Sequence, residues 1–454
     1  MTLETQAPNR STMPPGPPPR GKKLGERLAY GWAFFRDPMG FVGKRFGRYG
    51  DVYYAPSGGE PLYVFRHPDH LREILSVRAD SFEKDHTAFR QLKGVLGTGL
   101  LTTDGDLWLR HRRLLNPLFV RKAVDSYVDA FASESDRAAA ALPVGRTVDA
   151  SKLVIDLTLR IVGRTLLGTD VGASTERVSG AMRTFQRVLA APGLLPAPLA
   201  KIAVSRIEKA KRDLHEIIDG VIAERKRGAR GTDLLQRLLD AVDPEDGSTR
   251  LSEEDIKDQL LTFLLAGHET TANALTWTLG LLARDQPAQD AIRREVQTVL
   301  GEAPVTAEAL KSLPLTESAV HEAMRLYPPV FVIARRAKEE VEIGGYILPA
   351  GSEVVLWTFF THRDGRFYER PNAFVADRFA NGSTEGLHKH AYLPFGAGPR
   401  ACIGRAFATS EATAILASLL RHHRVVADGK PIPGVSPRIT LGPKGGMPLR
   451  FERV

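Results

Sequence analysis

From Ser252 to Arg284 the sequence reads as one long helix with no polar face through its middle. Ser252, followed at the third position by Asp255, approximates a capping box with Asp in place of Glu. About 33 residues rising 1.5 Å each reach about 50 Å. The stretch Leu260-Leu261-Thr262-Phe263-Leu264-Leu265-Ala266-Gly267 is apolar all round. A helix with one apolar stripe lies on a surface, whereas one that is apolar on every side has to be surrounded. Other elements must cover it on several sides. A chain of 454 residues, 43% of them hydrophobic, can supply that core.

The helix then breaks its own rule with His268-Glu269-Thr270-Thr271. Buried polar groups need partners, and Gly267 costs up to about 1 kcal/mol relative to Ala. Several local violations at one place point to a functional site. Taken alone, the pattern also fits a kinked helix whose Thr hydroxyls bond back to carbonyls one turn earlier.

The second informative segment is Phe395-Gly396-Ala397-Gly398-Pro399-Arg400-Ala401-Cys402-Ile403-Gly404, which holds the chain's single cysteine. A glycine-rich loop ending in a lone cysteine suits the presentation of one thiolate to something flat and large. Glycines let backbone N–H groups approach the sulfur. A free thiol has a pKa near ~8.5, so the anion needs support. The run Ala406-Phe407-Ala408 reads as the start of a helix, whose positive end favours a thiolate. A single cysteine excludes an intramolecular disulfide and Cys-based zinc sites, and it fits a reducing compartment.

The rest of the chain reads as one body, mainly α with small β sheets (α+β). Residues 1–22, with Pro14-Pro15-Gly16-Pro17-Pro18-Pro19, are expected to form a disordered polyproline-type tail, and residues 23–454 a single domain. Asp51 to Tyr54 and Pro61 to Phe65 read as a strand pair around Ser57-Gly58-Gly59. Helical patterns then dominate to about residue 330, short strands and loops run from Val341 to Ala380, and strands return from Val425. No internal repeat is present. The net charge of +9 is spread without a dense Lys/Arg tract, which argues against nucleic acid and for an acidic protein partner. The first residues contain no apolar stretch, so neither a signal peptide nor a membrane anchor is expected. His362-Arg363-Asp364 mimics a kinase catalytic loop without the companion motifs. His321-Glu322 begins a zinc-protease motif that Arg325 breaks.

The two segments together resemble the haem-ligand loop and the oxygen-activating helix of the cytochrome P-450 family. Phe395, Gly396, Gly398, Arg400, Cys402 and Gly404 all fall where that family's loop pattern needs them. The resemblance implies a cytochrome P-450 fold, with a large helical lobe, a smaller β-rich lobe and haem b between them. That haem would be non-covalent, since a Cys-x-x-Cys-His attachment is impossible with one cysteine, and Cys402 would be its iron ligand. Ala266 and Gly267 would let the helix pass close over the haem. Thr270 would hydrogen-bond the activated oxygen, Glu269 would relay protons, and His268 would be a positioning residue. Trp108, Arg112, Arg335 and Arg400 would hold the propionates, with His111 as a further donor and Arg336 a weaker candidate than Arg335. Glu322, Arg325 and Arg378 would brace the haem loop. Near Arg378 the sequence departs from the family pattern, with Ala376 for the usual Pro and Asp377 for the usual Glu.

The resemblance further implies a substrate pocket assembled from residues 84–99 and 185–199, Phe263, Ala266, Val330, Phe331, Val332, Ile333, Thr440 and Leu441. These segments are largely apolar, so a small hydrophobic substrate is expected: a terpene, fatty acid, steroid or polyketide. The apolar stretch Leu189 to Leu199 would be an entrance lid. No Gly-x-Gly-x-x-Gly or Walker loop is present, so electrons must come from a separate ferredoxin or flavodoxin with its reductase. Arg110, Arg113, Arg121, Lys122 and Arg405 could dock that partner. The expectation is a cytoplasmic, monomeric monooxygenase that uses dioxygen. The alternatives are a haem-thiolate peroxygenase or isomerase, and a non-enzymatic haem-binding sensor.

Overall fold

The structure, a computed structural model, describes residues 13–17, 31–34, 36–55, 62–84, 87–168, 177–178, 180–181, 184–185, 197–228, 231–382 and 384–454. The chain forms two compact units. The smaller is built from Met1–Thr87, Phe331–Asn372 and Gly386–Cys402, the larger from Ala88–Val330, Ala373–Glu385 and Ile403–Val454.

The larger unit is organised around the helix Glu253–Leu282. Its capping box is formed: Asp255 N–H donates to Ser252 Oγ, and Ser252 N–H donates to the Asp255 carboxylate, both at 3.1 Å. The helices Ala150–Val162, Pro314–Leu326 and Arg405–His422 pack against it, as expected for a helix without a polar side. Pro314 opens its helix at a position where a missing N–H costs nothing, and the helix stops at Leu326, just before Pro328-Pro329.

Two small sheets complete this unit. Pro448–Arg453 pairs antiparallel with both Thr147–Asp149 and His423–Ala427, with Leu449 opposite Val148 and Phe451 opposite Val425. The strand at Thr147–Asp149 interrupts a region that reads as helical in sequence. It is three residues long and exists only through its distant partner. A hairpin pairs Val435–Pro437 with Leu441–Pro443.

The smaller unit holds a five-stranded mixed sheet, in the order Val52–Ala55, Leu62–Phe65, Glu353–Leu356, Ile333–Ala337, Phe82–Glu83. The expected strand pair is present, with Val52 opposite Phe65 and Ala55 opposite Leu62, while its turn lies outside the described residues. The later strands begin at Ile333, earlier than the expected Val341, because Ile333–Ala337 pairs with Glu353–Leu356. Phe65, Leu71, Ile74, Val354, Leu356 and Leu393 form its core. Most of the proline-rich segment lies outside the described residues. Of the part expected to be disordered, Pro15 instead accepts from Tyr54 N–H at 2.9 Å along the open edge of the first strand. Among the described residues no helix is long and apolar enough to cross a membrane.

A charged clamp closes the start of this sheet. Arg66 Nε donates to Asp51 Oδ1 at 2.7 Å, and Arg366 grips both Asp51 oxygens at 2.7 and 2.8 Å. Burial raises the Asp51 pKa, but the bonds from Arg366 and Arg66 outweigh it and lower the value from 3.8 to about 2. A carboxyl depressed on folding stabilises the folded state above its unfolded pKa and loses that effect as pH falls through the folded one. The clamp's contribution is therefore complete above the unfolded value of 3.8 and disappears as pH drops toward about 2. Asp51→Asn should flatten the acid limb of the stability curve over that window, measured by urea midpoints against pH. A curve parallel to wild type would show that Asp51 is not the titrating group.

Candidate active site

The polar insertion lies within an unbroken helix rather than a kinked one. Between Asp258 and Gly280 every residue is buried except Ala266, Gly267 and Thr270. These three sit at i, i+1 and i+4, so they form one open strip on a helix that is otherwise covered. A Cβ on Gly267 would meet only Val162 Cγ2, at an ordinary 3.4 Å. Packing within the unit therefore does not require the glycine, and the strip is open because its residues are small. Thr270 Oγ1 donates to Ala266 O at 2.7 Å and Thr271 Oγ1 to Gly267 O at 3.1 Å, the back-bonded arrangement that mid-helix threonines adopt.

His268 is buried. Its Nδ1 is 2.7 Å from Leu264 O, so that nitrogen carries the proton. Burial holds its pKa below the ordinary imidazole range, with the Leu264 carbonyl and the Glu269 charge opposing. Glu269 is 8% exposed and accepts from Thr440 Oγ1, which in turn accepts from Asn273 Nδ2 at 3.0 Å. Glu411 is a residue that sequence reasoning missed. It lies on the helix Arg405–His422 and is fully buried. Burial pushes its carboxyl well above the usual range, against the opposing Thr271 hydroxyl. Its only signal in the sequence was a Glu inside an apolar helical run.

Trp108 and Arg112 stand at i, i+4 on the helix Gly105–Leu115 and share a face. His111 does not join them. Its ring is fully buried, Nδ1 lies 3.1 Å from Gln259 Nε2, and Nε2 lies 3.4 Å from Asp255 Oδ1. The expectation that His111 donates to a propionate is corrected, because both nitrogens face the central helix. The same helix carries Asp258, which accepts from Thr98 N–H and Oγ1 at 2.6 and 3.0 Å, and Gln259, which accepts from Leu100 N–H at 2.9 Å. Residues 84–99, expected as a pocket loop, contain the helix Thr87–Leu96.

In the smaller unit the cysteine loop is built by two left-handed glycines, Gly396 (φ 70°) and Gly398 (φ 67°). A Cβ at Gly398 would run into the Leu75 carbonyl, so the loop also needs the missing side chain. Cys402 N–H donates to Phe395 O at 2.8 Å and closes the loop, leaving the cysteine exposed. The chain then passes Gly404, the N-cap of Arg405–His422. Arg400 lies in the turn Gly398–Arg400 and is half-buried. Arg335 lies on Ile333–Ala337 opposite Val354, so Arg336 points to the other face of that sheet.

The donor set fits a haem. A single sulfur is exposed at the tip of a tight loop. The helix strip is left open by small residues. Half-buried guanidinium groups at Arg112, Arg335 and Arg400 match two carboxylates.

Among the expected pocket residues, Ala266 is exposed, Val330 is 41% exposed and Val332 is half-buried. Phe263 is buried against Phe119, and Phe331 is also buried. Leu441 is 0% exposed, which corrects its expected place on the pocket wall. Its backbone is tied at both ends, with N–H to Pro329 O at 3.0 Å and O to Trp277 Nε1 at 2.9 Å. The lid segment lies almost wholly outside the described residues.

Glu322, Arg325 and Arg378 form one network. Arg325 binds Glu322 in a fork, at 2.7 and 2.8 Å, with both side chains 0% exposed. Arg378 Nε reaches both Glu322 oxygens at 3.1 Å, and Val375 N–H donates to Oε1 at 3.0 Å. The substitutions at Ala376 and Asp377 leave this geometry intact. A buried carboxylate gripped by two guanidinium groups adds little net stability against an apolar trio, but losing it removes the charge that compensates the buried Arg325 and the half-buried Arg378. Glu322→Gln should lower unfolding free energy by about 3–5 kcal/mol or abolish soluble expression. A urea midpoint within about 1 kcal/mol of wild type would show that the network is not buried in solution.

The Cytochrome P450 family model matches residues 15–449. Cyclooctatin synthase of Streptomyces melanosporofaciens is 34% identical, covering 92% of this chain and 91% of that protein. Pentalenene oxygenase of Streptomyces avermitilis is 33% identical, covering 89% and 91%. The crystal structure of the cytochrome P450DA heme domain superposes with a TM-score of 0.86 at 27% identity, covering 97% of each chain. The chain belongs to the cytochrome P450 family, as a monooxygenase that holds a non-covalent haem through a cysteine thiolate.

Proposed function

We propose that this enzyme oxygenates a terpene, with Cys402 as the iron ligand and Glu269 and Thr270 as its acid–alcohol pair. The observation that carries the substrate class is the likeness, along nearly the whole chain, to cyclooctatin synthase and pentalenene oxygenase. The apolar character of Phe263, Ala266, Val330, Phe331 and Val332 supports a hydrophobic substrate.

Haem, when bound, supplies the activation of dioxygen at its iron. Cys402 would hold the iron as a thiolate, a ligand that donates electron density to it. Trp108, Arg112, Arg335 and Arg400 would hold the group by its carboxylates. Ala266 and Gly267 leave room beside the helix. Thr270, released from Ala266 O by rotation about χ1, presents a hydroxyl proton on the open strip. Glu269, the preceding residue on the same helix, relays protons toward it.

Two electrons come from a separate ferredoxin or flavodoxin. Arg110, Arg121, Lys122 and Arg405 are candidates for docking it beside exposed Leu109 and Val120. Arg113 is less suited to that task, because it is bound to Asp243 and Glu245 at 2.9 and 2.7 Å. A chain with a single cysteine, which can form no intramolecular disulfide, fits a reducing cytoplasm.

The reduced carbon-monoxide spectrum tests the ligand. Wild type should show the red-shifted Soret band of a thiolate complex, and Cys402→Ala should lose it. A band in the ordinary haem-protein position, unchanged by Cys402→Ala, sinks the assignment. For the substrate class, terpenes should give type I spectral shifts and oxygenated products with a generic ferredoxin system. Shifts with fatty acids or steroids alone count against it. Thr270→Ala should divert most electron flow from product to peroxide. Full coupling in that variant would favour a merely back-bonded threonine and a peroxygenase or isomerase.

A further inference from the structure

We propose that Thr440, fixed by Asn273, is the positioning residue for the Glu269 carboxylate, so that the C-terminal hairpin sets proton delivery to Thr270. The inference rests on the reading above that Glu269 handles the proton, and it assigns a task to two residues outside that reading.

Glu269 and Asn273 stand one turn apart on the same face of the central helix. The hairpin that joins Val435–Pro437 to Leu441–Pro443 places the Thr440 hydroxyl between them. Asn273 Nδ2 donates to Thr440 Oγ1 at 3.0 Å, and Thr440 Oγ1 donates to Glu269 Oε1. A hydroxyl has one proton. Because this one accepts from an amide that can only donate, its proton is turned onto the carboxylate. The direction of the chain is thereby set.

The hairpin is held at the next position by the same helix. Trp277, a further turn along, donates to Leu441 O at 2.9 Å, and Leu441 N–H donates to Pro329 O at 3.0 Å. Glu269, Asn273 and Trp277, at i, i+4 and i+8, therefore form one polar seam that grips Thr440 and Leu441. Trp277 is itself stacked on Tyr327, with centroids 3.9 Å apart and rings inclined by 6°. A buried carboxylate could adopt several rotamers. The seam selects one, engages Oε1, and leaves Oε2 to take and give the proton.

Thr440→Val removes the hydroxyl and keeps the branched shape, and Thr440→Ser restores the hydroxyl. The first readout needs no turnover. It is the infrared carboxylate band of Glu269 in the haem-loaded protein, identified by its loss in Glu269→Gln. The band should shift in Thr440→Val and return to its wild-type position in Thr440→Ser. The second is the fraction of consumed electrons found in product. It should fall about two- to tenfold in Thr440→Val, the effect of one lost hydrogen bond, with KM unchanged and recovery in Thr440→Ser. An unshifted band overturns the clamp. A shifted band with wild-type coupling overturns its part in proton delivery. Wild-type coupling in Glu269→Gln itself overturns the underlying role of Glu269, and the infrared comparison still decides whether Thr440 holds it.

Discussion

A helix buried along most of its length must find partners inside the protein for every polar side chain it carries, and much of the larger unit meets that demand. Asp258 and Gln259 are satisfied by backbone amides of the turn after Thr87–Leu96, and Asn273 and Trp277 by the C-terminal hairpin. Thr158, from the helix Ala150–Val162, caps the carbonyl of His268 at 3.0 Å. Each bond carries little net free energy, but leaving the group unpaired in the core would cost about 1–3 kcal/mol. The polar residues of the central helix thus act as addresses that bring loops from distant parts of the chain to fixed places along it. Between Asp258 and Gly280 the helix surface stays open at the strip Ala266-Gly267-Thr270.

The smaller unit meets a different constraint. Its loop must hold a thiol outward without letting the backbone collapse around it. The solution is local and steric: two glycines in left-handed conformation, a backbone bond from Cys402 back to Phe395, and a seat on the Leu75 carbonyl that admits no side chain. The strand that carries Arg335 and the clamp at Asp51 belong to the same unit as that loop.

Much of this was legible because it is written in short-range signals. The capping box, the apolar run and the glycine spacing before Cys402 are read within ten residues or so, and the structure follows them. Other features were not legible, and for one reason. The strand Thr147–Asp149 needs Pro448–Arg453, Pro15 needs Tyr54, and His111 needs Gln259. The sequence around His111 looks like a cation-bearing helix face, and only its distant neighbour shows that the ring is turned inward. Leu441 was read correctly as apolar and placed on the wrong surface, because its backbone bonds to Trp277 and Pro329 cannot be inferred from composition.

The pairing of Pro448–Arg453 with Thr147–Asp149 sets a timetable for biosynthesis. About 300 residues separate the two strands, so at roughly 5–20 residues per second the first waits about 15–60 s for its partner to leave the ribosome. The smaller unit waits similarly, since Val52–Ala55 and Leu62–Phe65 precede the Glu353–Leu356 strand that completes their sheet. During part of that interval the apolar central helix is made while the helix Arg405–His422 that packs against it is not. A nascent chain of this kind is a natural client for chaperones, and slow codons placed before the final strand would lengthen its exposure.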